Sequence, residues 1–276
     1  MFGGNMKISN IVSRRNRILL RELVITDFKL RYQGSVLGYL WSLLKPLLLF
    51  IIMYIVFVHF LKFGSDIEHY PVYLLLGIVM WSFFIEATNQ GMEAIVSRGD
   101  LIRKISFPKY IIIVSATLSA LINFALNLVV VLVFVLVNGV DLKWSILLLP
   151  FSIMELYIFS LAIAFLLSAL YVKYRDIGHI WEVFLQGAFY ATPILYPVAM
   201  VAHQNLLAAK ALLVFNPVAQ SIQDARYSLI THQTATVWNF IDKLWVQLIP
   251  LAIVVATVVL AVWYFKKNQK YFAENV

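Results

Sequence analysis

The chain of 276 residues has no cysteine, which excludes disulfides, thiolate metal sites and thiol catalysis. Charge is scarce as well: 13% of residues are charged and 62% hydrophobic, and the mean hydropathy is +0.85, far outside the range of soluble globular domains. No Gly-x-x-x-x-Gly-Lys-Ser/Thr loop occurs, so the usual backbone cradle for ATP is missing and ATP-driven work needs a partner chain. The histidines, His59, His69, His179, His203 and His232, are scattered without metal-ligand spacing and read as solvated or interfacial residues. Mixed, charged sequence over the first thirty-five residues does not fit a cleaved secretory signal, so the N-terminus is expected to be retained.

What is present is a series of apolar runs. A helix needs about 20 apolar residues to cross a bilayer, and Val36–Leu61, Val72–Thr88, Ile111–Val137, Ile146–Tyr171 and Ile249–Phe265 supply five candidates, the second slightly short. A sixth, Ile180–Tyr196, carries Glu182, Gln186, Gly187, Thr192 and Pro193 and is followed by Pro197, which argues against a straight lipid-facing helix. Leu206–Phe215 is too short to span and Asn216-Pro217 turns the chain, as in short helices that dip into the outer leaflet and return. The net charge of +8 sits at the ends of these runs, which fits membrane topology; no basic face interleaves with stacking aromatics as nucleic-acid binding would need. Sixteen of the 22 Lys and Arg residues fall on one side if the chain crosses six times. The opposite side holds Lys62, Lys143, Lys210, Arg226 and Lys243, so the positive-inside rule places both termini in the cytoplasm.

The expected architecture is all-α and integral to the membrane, a single domain over 1–276, with six spans in 36–265 and a cytoplasmic tail at 266–276. Residues 1–35 form a cytoplasmic interface segment in which Arg14, Arg15, Arg17 and Arg21 interleave with Ile18, Leu19, Leu20, Leu23 and Val24, ahead of Asp27 and Arg31. Such a helix lies in the headgroup layer, apolar side to lipid and arginines to phosphate or an acidic partner. Between the second and third spans, Arg98, Asp100, Leu101, Arg103, Lys104, Phe107 and Pro108 belong to a short helix whose Leu101, Ile102, Ile105 and Phe107 are available to lipid or to a groove in a soluble partner. Lys45, Glu86 and Glu155 are ionisable residues inside spans, and their cost in lipid marks interior positions, although Lys45 can snorkel to the surface. Aromatic residues reach 15% of the chain. Most serve belts and packing, while those on the first span and on the Ile180–Tyr196 segment, Tyr39, Trp41, Tyr54, Phe57, Phe189, Tyr190 and Tyr196, are candidates for lining a path.

Several pieces, in their order and spacing, resemble the membrane subunit of ABC-2 type polysaccharide exporters, which move O-antigen, capsular, teichoic-acid or rhamnan-type polymers. They are Asp27-Phe28-Lys29-Leu30-Arg31-Tyr32 with Gly38, Trp41 and Pro46; Arg103-Lys104 with Phe107-Pro108; Tyr174-Arg175-Asp176-Ile177; Thr192-Pro193-Ile194-Leu195-Tyr196-Pro197; and Asn216-Pro217. The resemblance implies a half-transporter in a bacterial inner or plasma membrane that pairs with a second copy and with two copies of an ATPase subunit holding ATP and Mg2+. No cofactor, metal or bond-making chemistry is then expected on this chain. It also implies that the Arg14–Arg31 segment is a gate helix, the Arg98–Phe107 loop a coupling helix, and Leu206–Phe215 part of an outer re-entrant region, with a polysaccharide sliding over aromatic rings. An ABC-2 exporter of a lipid or drug is the nearest alternative. A membrane glycosyltransferase would show acidic pairs or a nucleotide-sugar domain, and a secondary carrier paired broken helices.

Overall fold

A computed structural model describes residues 14–31, 34–60, 67–105 and 107–272. Outside the described residues lie Lys7, Tyr32, Gln33, Leu61, Lys62, Ser106 and positions 273–276, together with the side chains of Phe28, Leu30 and Arg31. Helix α1 (Arg14–Arg31) is followed by α2 (Leu40–Tyr54), which continues as a π-helical stretch over Ile55–Phe60, and by α3 (Tyr70–Ser97). The short α4 (Gly99–Lys104) leads to α5 (Tyr110–Val137) and α6 (Leu149–Lys173). Next come α7 (Ile177–Ala191), α8 (Val198–Gln204), α9 (Leu206–Phe215) and α10 (Pro217–Leu229). Two single turns, α11 (Val237–Phe240) and α12 (Leu244–Gln247), precede α13 (Ile249–Asn268). Among the described residues the regular structure is entirely helical.

Among the described residues, five segments are long and apolar enough to cross a membrane: Leu40–Phe60, Tyr70–Ser97, Tyr110–Val137, Trp144–Lys173 and Leu244–Tyr271. The chain is therefore an all-helical, multi-pass membrane protein. The expected sixth span corresponds to α7, which has only 15 residues, about 22 Å at ~1.5 Å per residue against a hydrocarbon core of about 30 Å. It stops where Thr192 turns extended, because Pro193 disfavours helical backbone in the residue before it. The second span, in contrast, is longer than its hydropathy suggests, at 28 residues. Pro71 occupies the first turn, where no N–H is needed, and beyond Thr88 the half-buried Asn89 and Gln90 and the exposed Glu93 extend the helix.

Helix α3 is the axis of the bundle, with α5 and α6 packed along it, α13 on α6, and α1 along α5. Close approach is set by small residues. A methyl group added at Gly91 would fall 2.4 Å from the Cβ of Ala164 on α6 and 3.5 Å from the Cγ2 of Thr117 on α5; without a hydrophobic drive between helices in lipid, such tight contact does the holding. Rings fill the remaining space, Phe83 against Phe124 at 4.9 Å and Phe84 against Phe159 at 6.1 Å. Helix α1 differs from a helix lying free in the headgroup layer. Leu23 and Val24 are half-buried, and the hydroxyl of Ser119 on α5 donates to the Val24 carbonyl, while Ile18 stays outside at 54% exposure.

Candidate coupling surface and intramembrane cleft

The N-terminal helix and the loop after α3 meet directly. Arg98 sits between α3 and α4, where its guanidinium pairs with the Asp27 carboxylate of α1 and donates to the Ser115 hydroxyl of α5 at 2.9 Å. Burial pushes the Arg98 pKa down, and the Asp27 carboxylate is the compensation that keeps the cation tolerable there. On α4 itself Arg103 pairs with Asp100 at 2.9 Å, both exposed, so this second pair adds little stability. Lys104 is exposed. The expected apolar knob is smaller than its sequence suggests: Ile102 is buried at 8% exposure, Phe107 packs against the same cluster, and Ile105 is the large apolar side chain left outside at 47%. The physical reason is that α4 lies back on the bundle, because Arg98 is tethered on two sides and Pro108 starts the next helix immediately. What α4 offers outward is mainly charge. Arg14, Arg15, Arg17 and Arg21 of α1 are likewise exposed, whereas the side chain of Arg31 lies outside the described residues.

Within the membrane-spanning region, α2, α3 and α5 enclose a cleft of 680 Å³. It receives Lys45 and Trp41 from α2, Glu86 and Gln90 from α3, and Asn123 and Asn127 from α5. Glu86 is satisfied by two amides: its carboxylate accepts from Asn123 Nδ2 at 2.7 Å and from Gln90 Nε2 at 3.2 Å. Pro46 has no N–H and so leaves the carbonyl of Ser42, four residues back, without its helical donor. Asn127 replaces it, donating to the Ser42 carbonyl at 3.1 Å as well as to the Asn123 carbonyl at 2.9 Å. The result is a polar groove in an apolar setting. It can hold water or hydroxyl-bearing groups, and Lys45 and Glu86 both line it.

Glu155 is elsewhere, on α6, within electrostatic reach of Asp224 on α10, and one oxygen of each carboxyl is buried without a hydrogen-bond partner. The aromatic candidates divide between two helices. On α2 and its extension, Tyr39 and Trp41 are exposed, while Tyr54 packs on Phe50 and Phe57 against the core. On and after α7, Phe189 leans on Trp81 at 6.1 Å, Tyr190 is 67% exposed, and the Tyr196 hydroxyl donates to the Tyr190 carbonyl.

The opposite end of the bundle holds a feature the sequence concealed. Arg226, counted above among the five basic residues of the opposite side, is fully buried on α10. Its guanidinium donates to the carbonyls of Tyr73 at 3.1 Å, Pro193 at 2.7 Å and Ile194 at 2.7 Å, and stacks over the Tyr73 ring at 3.5 Å. A carbonyl cage and a π face stand in for the missing carboxylate. Asn216 caps α10 by accepting from the amides of Val218 and Ala219, and its own amide donates to the Thr192 hydroxyl at 3.0 Å. The Thr192–Pro197 and Asn216-Pro217 pieces, separate in sequence, thus form one knot. Gly77 makes room for it, since a methyl group there would fall 2.4 Å from Arg226 Nη2.

The profile of the ABC-2 type transporter family matches residues 18–230, from α1 through the end of the Arg226 knot. The chain is 30% identical over 264 residues to the O-antigen export system permease protein RfbA of Myxococcus xanthus, covering 94% of this chain and 96% of that protein. It is 29% identical over 206 residues to the protein of the same name from Klebsiella pneumoniae, covering 74% and 77%. With the polysialic acid transport protein KpsM of Escherichia coli it shares 21% identity over 225 residues, covering 78% and 82%.

Proposed function

The chain belongs to the ABC-2 type transporter family, and on that premise we propose that it is the permease subunit of an exporter that carries a lipid-linked cell-surface polysaccharide outward across the bacterial inner membrane. Two copies assemble with two copies of a separate ATPase chain, which binds ATP and Mg2+. The basic end of the bundle, with both termini, faces the cytoplasm, and α7 with the turn after it completes the sixth crossing. The observation that carries this reading is the near full-length similarity to a protein named for O-antigen export.

The coupling surface gives the reading a mechanism. An ATPase subunit grips the exposed charges of α4, Arg103 and Lys104, and displaces the segment when it closes on ATP. Arg98 is rigidly linked to that segment and is paired with Asp27, so the displacement reaches α1 without passing through flexible chain. Helix α1 then tilts the start of α2, and the wall that carries Trp41 and Lys45 shifts relative to α3. No bond in the glycan is broken.

Charge reversal of Arg103 and Lys104 tests this. ATP turnover of the assembled complex is expected to persist while polysaccharide export falls at least tenfold, read as surface glycan on cells that depend on the variant. Undiminished export in that variant removes the coupling role of α4. Deletion of the chain with no change in any surface polysaccharide removes the substrate class, and a lipid or drug then becomes the cargo to assay.

A further inference from the structure

At the basic end, α1, α5 and α13 enclose a crevice of 430 Å³, within the range of about 300–1,000 Å³ typical of ligand pockets. Its two ends differ in character. Arg17 of α1, Lys266 of α13 and Gln269 line the outer end, and Val114 of α5, Phe165 of α6 and Val262 of α13 line the inner one. Val262 precedes Lys266 by one helical turn, which sets it about 6 Å deeper at ~1.5 Å per residue. Val114 is displaced by the same amount from Tyr110 on α5, which runs inward from the same end. The change from cationic to apolar therefore follows the direction in which a lipid headgroup gives way to its chains.

Among the described residues that line the crevice, none is acidic; Arg17 and Lys266 are both exposed, and a third cation, Lys109, donates to the Gln269 carbonyl at 2.7 Å. The crevice also opens sideways, because Val262 is 43% exposed on a membrane-spanning helix. We propose that this crevice is a binding site for an anionic phospholipid, whose phosphate lies between Arg17 and Lys266 and whose acyl chain lies along Val262 and Phe165. Basic pockets between spans at the cytoplasmic surface take anionic headgroups in this way. The lipid bridges α1 to the last span, and it seats α1 at a fixed depth.

The test uses the purified full chain in detergent, offered phosphatidylglycerol, phosphatidylcholine or glycerophosphate, with retained lipid read by native mass spectrometry and thermal unfolding read in parallel. Phosphatidylglycerol is expected to be retained and to raise the unfolding temperature, and the other two to do neither. Replacing both cations, R17Q with K266Q, is expected to weaken retention on the order of thirtyfold, from roughly fivefold for each basic residue near an anionic headgroup. V262W fills the inner end, leaves every charge in place, and is expected to abolish retention. K267Q, beside the crevice, is expected to leave it unchanged. Retention of phosphatidylcholine equal to that of phosphatidylglycerol, binding of glycerophosphate alone, or undiminished retention in the double variant or in V262W overturns the proposal.

Discussion

Helices α2 and α3 are neighbours of similar apolar character, and they are built into the molecule in opposite ways. In the most apolar stretch of α3, 78% of residues are buried; in that of α2 and its extension, 11% are. Helix α3 has glycine or small residues at its closest crossings, rings on its flanks and a buried arginine at one end, so it touches protein on nearly every side. Helix α2 meets α3 and α5 along one edge, and elsewhere presents Leu48, Ile51, Ile52 and Ile55 to the outside. The difference separates a helix packed on nearly every side from one that the proposed mechanism uses as its moving wall. Work delivered at the basic end cannot be stored in α3 without disturbing the whole bundle, whereas α2 can be displaced while the core stays packed.

The sharpest way to break this contrast is at the Arg226 cage. Arg226→Ala orphans the carbonyls of Pro193 and Ile194, at about 1–3 kcal/mol for each unsatisfied group, and removes the second donor from the helical Tyr73 carbonyl; the folded chain is expected to disappear from detergent extracts. Gly77→Ala should approach the same outcome, because the guanidinium it displaces is pinned by those bonds and cannot swing away. A folded, thermally stable R226A would mean that α3 is not anchored there. Next in size, Gly91→Val forces α3 and α6 apart and is expected to lower stability by about 1–3 kcal/mol, seen as a lower unfolding temperature of the purified chain. Asn127→Leu removes the tether between α5 and α2 and should cost about 1–2 kcal/mol, with α2 becoming more accessible to protease or to labelling at cysteines introduced along it. Ile52→Ala, at a position 57% exposed, should change the stability of the isolated chain by no more than about 0.5 kcal/mol. A larger loss there would show that α2 is held by more than its one edge.

Much of this framework is legible in the sequence because it depends on local pattern. Hydropathy locates five spans, Pro193 and Pro197 argue against a straight helix over Ile180–Tyr196, and Leu206–Phe215 is helical over the expected residues. Periodicity is silent on what a side chain meets far along the chain. Arg226 reads as a loop charge because its cage comes from Tyr73 and from Pro193 and Ile194, 153, 33 and 32 residues away. Asp27 and Arg98 are each notable in sequence, but their pairing spans 71 residues. Ile102 illustrates a different gap: an amphipathic pattern identifies an apolar face without saying whether protein, lipid or a partner will cover it. One signal was available and specific. A proline inside an apolar span frees a carbonyl that must find a donor, and Asn123 and Asn127, one turn apart on α5, were the polar groups placed to provide one.

That substitution of an asparagine amide for a missing backbone N–H also sets an energy scale for movement. When α2 leaves α5, Asn127 gives up its bond to Ser42 but keeps the one to Asn123, so among the described residues separation breaks one interhelical hydrogen bond, about 0.6–2 kcal/mol in a membrane, besides the packing of Phe50 on Phe134. The bond alone is one to three times thermal energy. It helps to define the resting position of α2, and in the proposed mechanism the nucleotide-driven push supplies the work of leaving it.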